Sequence, residues 1–311
     1  MLQTSQTRSR RKNKVFAHIR RDKWLYLLAL PGLSYFIIFK YLPMSGLVIA
    51  FKNFTPFLGI WGSDWAGLKW FNYFFSNPDF MRLLTNTLVL SLLNIVFYFP
   101  APIILALMLN ELRSPRYKKL MQTFLYVPHF ISIVIVCSIT YVMFNSNGIA
   151  TRGVYALTGN SPNFLTSVSA FRPMIIGQVI WKETGWGTII FLAALAGVDT
   201  QLYEAAMCDG AGRLRQLWHI TLPSIRSTIV LLLVLRMGSV LDSGHEHLIL
   251  MANAMNRSVA QTFDVFVYQQ GIQQGQFSYA TAVGLFKAVI SVTLVMFSNH
   301  VAHRLGEPGL Y

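Results

Sequence analysis

Six long apolar runs constrain this chain more than any other feature of its sequence. A helix needs about 20 apolar residues to cross the hydrocarbon core of a bilayer, which is about 30 Å thick. Composition agrees, since 54% of the residues are hydrophobic and only 12% are charged, against about a quarter charged in soluble domains. We therefore predict an all-α polytopic membrane protein with about six transmembrane helices. The runs lie near residues 24–50, 83–109, 120–144, 173–197, 223–242 and 279–302.

The basic residues are unevenly distributed between the two sides of this topology. The chain has 26 Lys and Arg and a formal net charge of +14. Sixteen of these fall on the side of the termini, eight of them in residues 1–23, and six fall on the opposite side. Lys and Arg accumulate on the cytoplasmic side, so we predict a cell (inner) membrane protein with both termini cytoplasmic. Such a basic tail favours anionic lipid as its contact rather than nucleic acid.

A short polar loop, 199–223, separates the fourth and fifth runs. Asp199 or Thr200 can cap a helix that begins directly after it. Gly210 can end that helix because glycine adopts the left-handed conformation without a Cβ penalty. Pro223 can then occupy the first turn of the next span. The small side chains of Ala205 and Ala206 would let another protein approach closely, which indicates a docking element; the alternative is an ordinary amphipathic connector.

The same loop carries Glu-Ala-Ala, three residues, Gly, nine residues, Ile, one residue and Leu-Pro. This spacing resembles the coupling loop of permease subunits in binding-protein-dependent ABC importers, and its extended form is similar to the maltose-type carbohydrate branch. Stretches from residue 77 to residue 306 also resemble the subgroup for complex oligosaccharides and polysaccharides. One departure is Leu217, because the family's usual aromatic residue follows here as Trp218. The resemblance assigns ATPase coupling to Glu204, Ala205, Ala206, Asp209, Gly210, Ala211, Ile220, Leu222 and Pro223.

The resemblance also implies an architecture and a set of partners. It implies the type I permease fold, with a permease domain at 24–304 between cytoplasmic tails at 1–23 and 305–311. The implied partners are a second permease subunit, two ATPase subunits, an extracytoplasmic solute-binding protein, membrane lipid and a saccharide. The chain has no Gly-rich phosphate loop, so ATP and magnesium would belong to the ATPases and this subunit would carry no cofactor and no catalysis.

Charged residues inside the apolar runs indicate a substrate path or interhelical pairing. A charge at the centre of a bilayer costs about 2.5 to 3.5 kcal/mol, so it normally faces a partner helix or a water-filled path. Lys182 and Glu183 lie where Gly185 and Gly187 predict an interruption of the fourth run. Glu183 could instead pair with Arg236 or with Lys287. The resemblance points to a substrate path through Trp181, Lys182, Glu183, Trp186, Arg236, Ser239 and Ser243.

The cationic members of this set favour an acidic cargo, such as an alginate or pectin fragment. An Arg fork pairs well with a carboxylate, whereas neutral sugars would suit amides and hydroxyls. His245-Glu246-His247 has no spacing suited to a metal site and reads as a solvated external helix end. Two other functions stay open: the same fold importing phosphate, amino acids or peptides, and a membrane-embedded enzyme that uses Glu183, Lys182 and the histidines.

Overall fold

The computed structural model describes residues 21–304, 306, 307 and 309. The rest of the predicted cytoplasmic tails lies outside the described residues. The chain divides into two compact units, Met1–Gly67 and Leu68–Tyr311. The first contains one long helix, and the second contains the other candidate membrane spans.

The long helix of the first unit is α1 (Lys23–Phe51). It passes through a π-turn at Ile37–Tyr41 and continues beyond Pro43. Its apolar side chains are almost all exposed, as expected of a helix that faces lipid or a partner helix. After it the chain forms a hairpin composed of β1 (Lys52–Asn53), α2 (Gly59–Gly62) and β2 (Asp64–Trp65), with β1 and β2 antiparallel.

The second unit is helical throughout the part that the structure describes. Its longest helices alternate with short helices and turns that lie in the predicted loops. In chain order the helices are α3 (Lys69–Phe75), α4 (Phe80–Asn110), α5 (Pro115–Tyr126), α6 (Ile133–Phe144), α7 (Ile149–Thr158), α8 (Val168–Ala196), α9 (Thr200–Cys208), α10 (Arg213–Ser224), α11 (Arg226–Gly238), α12 (His245–Met251), α13 (Arg257–Ala260), α14 (Phe263–Tyr268) and α15 (Phe277–Arg304).

The number of candidate membrane spans agrees with the sequence prediction. Among the described residues, five stretches are long and apolar enough to cross a membrane: α1, α4, Ile133–Thr158, α8 and α15. A sixth crossing results if α10 and α11, which meet at an angle of 59°, form one bent span. The predicted all-α polytopic fold is confirmed.

The third predicted span, 120–144, differs from the structure. α5 ends at Tyr126, and a 3₁₀ turn, Val127–Phe130, interrupts the run before α6 begins. Pro128 explains the break, because proline lacks a backbone N–H and also disfavours helical geometry in the residue before it. The interruption places His129 outside a regular helix, where its side chain and its carbonyl oxygen can both reach α8.

Three clusters of buried side chains hold the second unit together. One is aromatic and joins α3, α14 and α15 through Phe74, Phe263 and Tyr279. Another joins α4, α8 and α11 near the polar loop, and a third packs α12 against α4, α6, α8 and α14. The helices that bound the candidate pocket described below are therefore all members of at least one packed cluster.

Candidate functional site

The polar loop folds as two short helices, as its sequence predicts. The Asp199 side chain caps α9 by accepting a hydrogen bond from the backbone N–H of Gln201 at 2.9 Å. Gly210 has φ of 74°, the left-handed conformation that ends the helix. The N–H of Ala211 donates to the carbonyl of Ala206 at 2.8 Å, which closes the turn. Residue 211 then leads directly into the second helix.

The second helix of the loop contains a π-turn at Leu217–Thr221. An i→i+5 turn holds one residue more than an α-helical turn, and such turns are frequent at functional sites. It begins at Leu217, the position where the sequence departs from the family pattern. Leu217 lines a cleft of about 310 Å³ beside the end of α4, whereas Trp218 is 66% exposed.

The outer surface of this loop is uncovered and mixes apolar with charged side chains. No residue of α9 is buried, and the exposed large apolar side chains of the loop are Leu202, Met207, Leu214 and Trp218. Charged side chains are exposed beside them, namely Glu204, Asp209, Arg213 and Arg215. On its inner side the loop is held by the hydroxyls of Tyr203 and Thr221, which lie 2.9 Å apart. Exposed large apolar side chains on a fixed loop are suited to contact with another protein.

Gly185 allows α8 to contact the backbone of α5 closely. A Cβ at this position would overlap the carbonyl group of Leu125, and a Cβ at Gly187 would lie 2.9 Å from Cγ of Pro102 in α4. The expected interruption of the fourth run is therefore wrong, since α8 is continuous over Val168–Ala196. The glycines serve instead as contact points, as small residues do between membrane helices.

This close contact brings His129 to a pair of charged residues on α8. His129 Nδ1 lies 2.7 Å from Glu183 Oε2, and Lys182 Nζ lies 3.0 Å from Glu183 Oε1. Lys182 also donates to the carbonyl oxygen of His129 at 2.6 Å. The imidazole of His129 stacks on the indole of Trp186, with ring centroids 4.5 Å apart and planes 5° apart. Lys182 is therefore neutralised by its neighbour and held by the turn.

A polar pocket of about 320 Å³ lies beside this cluster. Four of the residues predicted for the substrate path line it, and the other three (Trp181, Trp186 and Ser239) do not. The pocket is bounded by α4, α8, the end of α11 and the start of α12. Its lining residues are Asn94, Ile133, Gln178, Val179, Lys182, Glu183, Arg236, Asp242, Ser243, Gly244, Glu246 and His247.

Arg236 is the cation of the pocket that has no anionic partner among the described residues. Its guanidinium carbon lies 5.2 Å from the ring centroid of Tyr98, a cation–π contact. Its Nε is buried and makes no hydrogen bond, and the same holds for Oδ1 of Asn94 in the facing helix. Glu183 therefore does not pair with Arg236, which the sequence analysis left open as an alternative, because His129 and Lys182 already occupy that carboxylate.

Lys287 belongs to a separate ionic cluster, so the alternative pairing with Glu183 is also wrong. Its Nζ donates to Asp242 Oδ1 at 2.5 Å and to the carboxylate of Asp264. Asp264 also accepts from the backbone N–H of Ser243 at 2.8 Å. This cluster holds the non-helical segment between α11 and α12, which forms one wall of the pocket.

His247 forms the floor of the pocket and is not a solvated helix end, contrary to the sequence interpretation. It is 7% exposed, and its Nε2 lies 2.6 Å from Gln178 Oε1. Gln178 in turn donates to Thr140 Oγ1 at 2.6 Å. Burial lowers the pKa of His247 to about 4, so the imidazole is neutral at pH 7. His245, two residues earlier, is exposed and stacks on Tyr268.

Several pocket residues carried a signal that the sequence analysis did not use. Asn94 and Gln178 are amides inside apolar runs, and amides there are normally bonded across helices. His129 follows Pro128 directly, which marks a break in its run. Asp242 follows Gly238 closely, at the end of the predicted fifth run. The lining residues that the sequence analysis did name are Lys182, Glu183, Arg236 and Ser243, for the substrate path, and Glu246 and His247, as part of a solvated helix end.

These features together define a polytopic membrane protein of the permease class, with a polar interhelical pocket and an exposed loop of two short helices. Residues 98–307 match the family described as binding-protein-dependent transport system inner membrane component. That match covers more than half of the chain, so the chain belongs to this family of ABC importer permeases.

Two curated proteins of Bacillus subtilis (strain 168) are similar over nearly their whole length. Protein LplB is 57% identical over 296 residues, which is 95% of this chain and 93% of LplB. The polygalacturonan/rhamnogalacturonan transport system permease protein YteP is 52% identical over 302 residues, 97% of this chain and 94% of YteP. A solved structure is also similar: the crystal structure of a bacterial alginate ABC transporter in complex with alginate pentasaccharide-bound periplasmic protein. One chain of that structure superposes on this one with a TM-score of 0.87 at 38% sequence identity. The match covers 96% of this chain and 100% of that chain.

Proposed function

We propose that this chain is the permease subunit of an ATP-driven importer whose cargo is an oligosaccharide or polysaccharide fragment that carries carboxylates. Relatives support the saccharide class, since one is described as a polygalacturonan/rhamnogalacturonan permease and another belongs to an alginate transporter. Alginate is an acidic polysaccharide, and galacturonans contain the sugar acid galacturonate. The carboxylate preference rests on one observation in this chain, the state of Arg236.

Arg236 offers the pocket an uncompensated guanidinium. Lys182, the other cation of the pocket wall, is held by Glu183 and by the carbonyl of His129. Asp242 is likewise occupied by Lys287. Arg236 therefore supplies the positive charge that is available to a ligand in the pocket. The exposed Glu246 supplies a negative charge in the same lining. A guanidinium can bind a sugar carboxylate with two parallel hydrogen bonds, which selects for that group.

Substitution of Arg236 tests the cargo directly. In the reconstituted importer, Arg236→Gln should lower the apparent affinity for oligogalacturonates by roughly 10- to 150-fold, the range for a lost hydrogen bond to a charged group. Arg236→Lys should fall between Gln and wild type, because it keeps the charge and loses the fork. Glu246→Gln is the matched control of opposite sign, and it should leave affinity unchanged or raise it.

A second substrate makes the assay specific for charge. Carboxyl-reduced oligogalacturonates have the same chain length without the acids, and their uptake should respond little to Arg236→Gln. Equal losses for the acidic and the reduced substrates would show that Arg236 acts on the fold of the pocket and not on carboxylates.

The 199–223 loop supplies the proposed coupling to ATP hydrolysis. Its exposed outer surface would dock on an ATPase subunit through the residues from Glu204 to Pro223 that the sequence analysis assigns. A second permease subunit would complete the path, two ATPases would bind ATP and magnesium, and an extracytoplasmic solute-binding protein would deliver the saccharide. This chain would itself catalyse no reaction and bind no cofactor.

In this arrangement both termini and the tails at 1–23 and 305–311 are cytoplasmic, around a permease domain at 24–304. Single cysteines at Arg215 and at Asn160 would test it, since both residues are exposed and lie on opposite sides of the proposed topology. An impermeant thiol reagent added to intact cells should label position 160 and not position 215, and the reverse pattern would invert the topology.

A further inference from the structure

A second and larger pocket lies at the other end of α12 from the central one. Its volume is about 500 Å³, within the usual range for small-molecule sites. The first turn of α12 lines the central pocket through Glu246 and His247, while Ile249 and the residues after the helix line the second. A helix of seven residues is about 10 Å long, so the two pockets are near neighbours.

Amides dominate the polar wall of this pocket, which we call the glutamine pocket. Three of them, Gln269, Gln273 and Gln274, come from the π-turn Gln269–Gln273 that follows α14 and from the residue directly after it. The wall contains one cation and, among its lining residues, no carboxylate. Its polar residues are Asn253, Arg257, Gln261, Gln269, Gln273 and Gln274.

Part of this wall is fixed and part is available to a ligand. Gln261 accepts a hydrogen bond from Arg82 and donates one to Gln269 Oε1 at 3.3 Å, so these two amides are oriented by the protein. Gln273, Gln274 and Arg257 are exposed, and their side chains make no hydrogen bond or ion pair within the described part of the chain. The pocket thus combines positioned amides with free donors and one free positive charge.

This combination fits an acidic saccharide. Sugar hydroxyls both donate and accept hydrogen bonds, and an amide side chain offers both functions. A guanidinium adds recognition of carboxylates, and the absence of acidic lining residues removes repulsion. An ordinary apolar solute would gain little from such a wall, because its contact would desolvate amides without replacing their hydrogen bonds.

We propose that the glutamine pocket is an outer subsite that holds part of a carboxylated oligosaccharide whose other residues occupy the central pocket. The inference rests on the proposed function, because it requires a saccharide cargo that enters from this side. It adds a prediction that the central pocket does not make: the subsite matters only for chains long enough to reach it.

Length dependence in transport tests the subsite. The complete importer is reconstituted in liposomes with its binding protein, and uptake is measured for oligogalacturonates from the dimer upward. Arg257→Gln and Gln273→Leu should raise the KM for the longest chain that wild type imports by about 3- to 10-fold, and should leave the shortest within about twofold. Size-exclusion chromatography checks that each variant assembles.

Two matched variants control for charge and for amide loss. Arg152→Gln removes an exposed arginine of α7, and Gln270→Leu removes a glutamine of the same π-turn that does not line the pocket. Neither should change the length dependence.

Three results would overturn the subsite. Equal increases in KM for short and long chains, with weaker stimulation of ATP hydrolysis by unloaded binding protein, would assign the surface to protein docking. Unchanged KM values for both variants at every chain length would show that the pocket has no role in binding cargo. A wild-type importer that accepts a single chain length would also contradict a subsite that serves only the longer chains. Failure of wild type to import any oligogalacturonate is a different result, which would refute the proposed cargo as well.

Discussion

The contact at Gly185 gives a stability prediction that is independent of the cargo. α8 contains Gly185, whose Cβ position coincides with the carbonyl group of Leu125, and Gly177, which has no atom within 4 Å of its Cβ position. Both residues are within the same continuous helix. Replacing either by alanine therefore makes the same chemical change in two different environments.

The expected magnitudes follow from those environments. Alanine in place of glycine stabilises a helix interior by about 0.5–1 kcal/mol, and this gain is common to both variants. Overpacking a filled site costs about 1–3 kcal/mol, and the neighbour here is backbone, which has little freedom to move. The free energy of unfolding should therefore be lower for Gly185→Ala than for Gly177→Ala by about 1–3 kcal/mol.

Thermal unfolding of the detergent-solubilised protein measures this difference. A change of 1 kcal/mol shifts the Tm of a chain of 150–250 residues by about 2–4 °C, so a separation of several degrees is expected. Gly177→Ala should have a Tm at or above that of wild type. If the two variants unfold at the same temperature, α8 does not approach the Leu125 carbonyl as described, and the placement of His129 against Glu183 is wrong.

Three further predictions concern ionisation, the ionic cluster and coupling. His247→Gln should make stability less sensitive to acid, whereas His245→Gln should not. Burial lowers the pKa of His247 from 6.5 to about 4, so the wild-type free energy of unfolding decreases as pH falls below 6.5. The loss is ~2 kcal/mol at pH 5 and levels off below about pH 4. Equal Tm losses between pH 7.5 and 5 in wild type and His247→Gln would contradict this. Lys287→Gln should destabilise by about 3–5 kcal/mol because it strands the largely buried carboxylate of Asp264. Adding Asp264→Asn should recover part of that loss, as judged by Tm, and a double variant no better than the single one would argue against the pairing. Ala206→Trp should abolish ATPase binding in pull-down without lowering membrane insertion, since a bulky ring cannot enter a close interface, and intact binding would remove the loop as the docking element.

Local signals in the sequence predicted the fold and the loop well. Run length predicted six crossings because the bilayer fixes the length of a helix. The cap at Asp199 and the left-handed Gly210 were predictable because both depend on the chemistry of one residue and its nearest neighbours. Proline at 128 also predicts the break in the third run, although the apolar composition around it concealed that signal.

The partners of the buried charges were not predictable in the same way. The sequence offers Glu183 four cations or potential cations, Lys182, His129, Arg236 and Lys287, and the packing of the helices decides among them. The choice of His129 depends on the 3₁₀ turn after α5 and on the absence of a side chain at Gly185. Likewise, Asp264 lies far from Lys287 along a chain of irregular short helices, so that no periodicity links them.

The separation between bound and unbound charges around the central pocket has a consequence for how such a permease could diverge. Lys182, Glu183 and His129 hold one another, so a change at one of them needs a compensating change at another. Arg236 is held chiefly by the face of Tyr98 and is not part of any ion pair among the described residues. A single codon change at position 236 can therefore alter the charge that a cargo meets while the ionic framework of the wall is inherited intact. In permeases descended from one ancestor, substitution of this arginine could therefore be the first step in a change from acidic to neutral saccharide cargo.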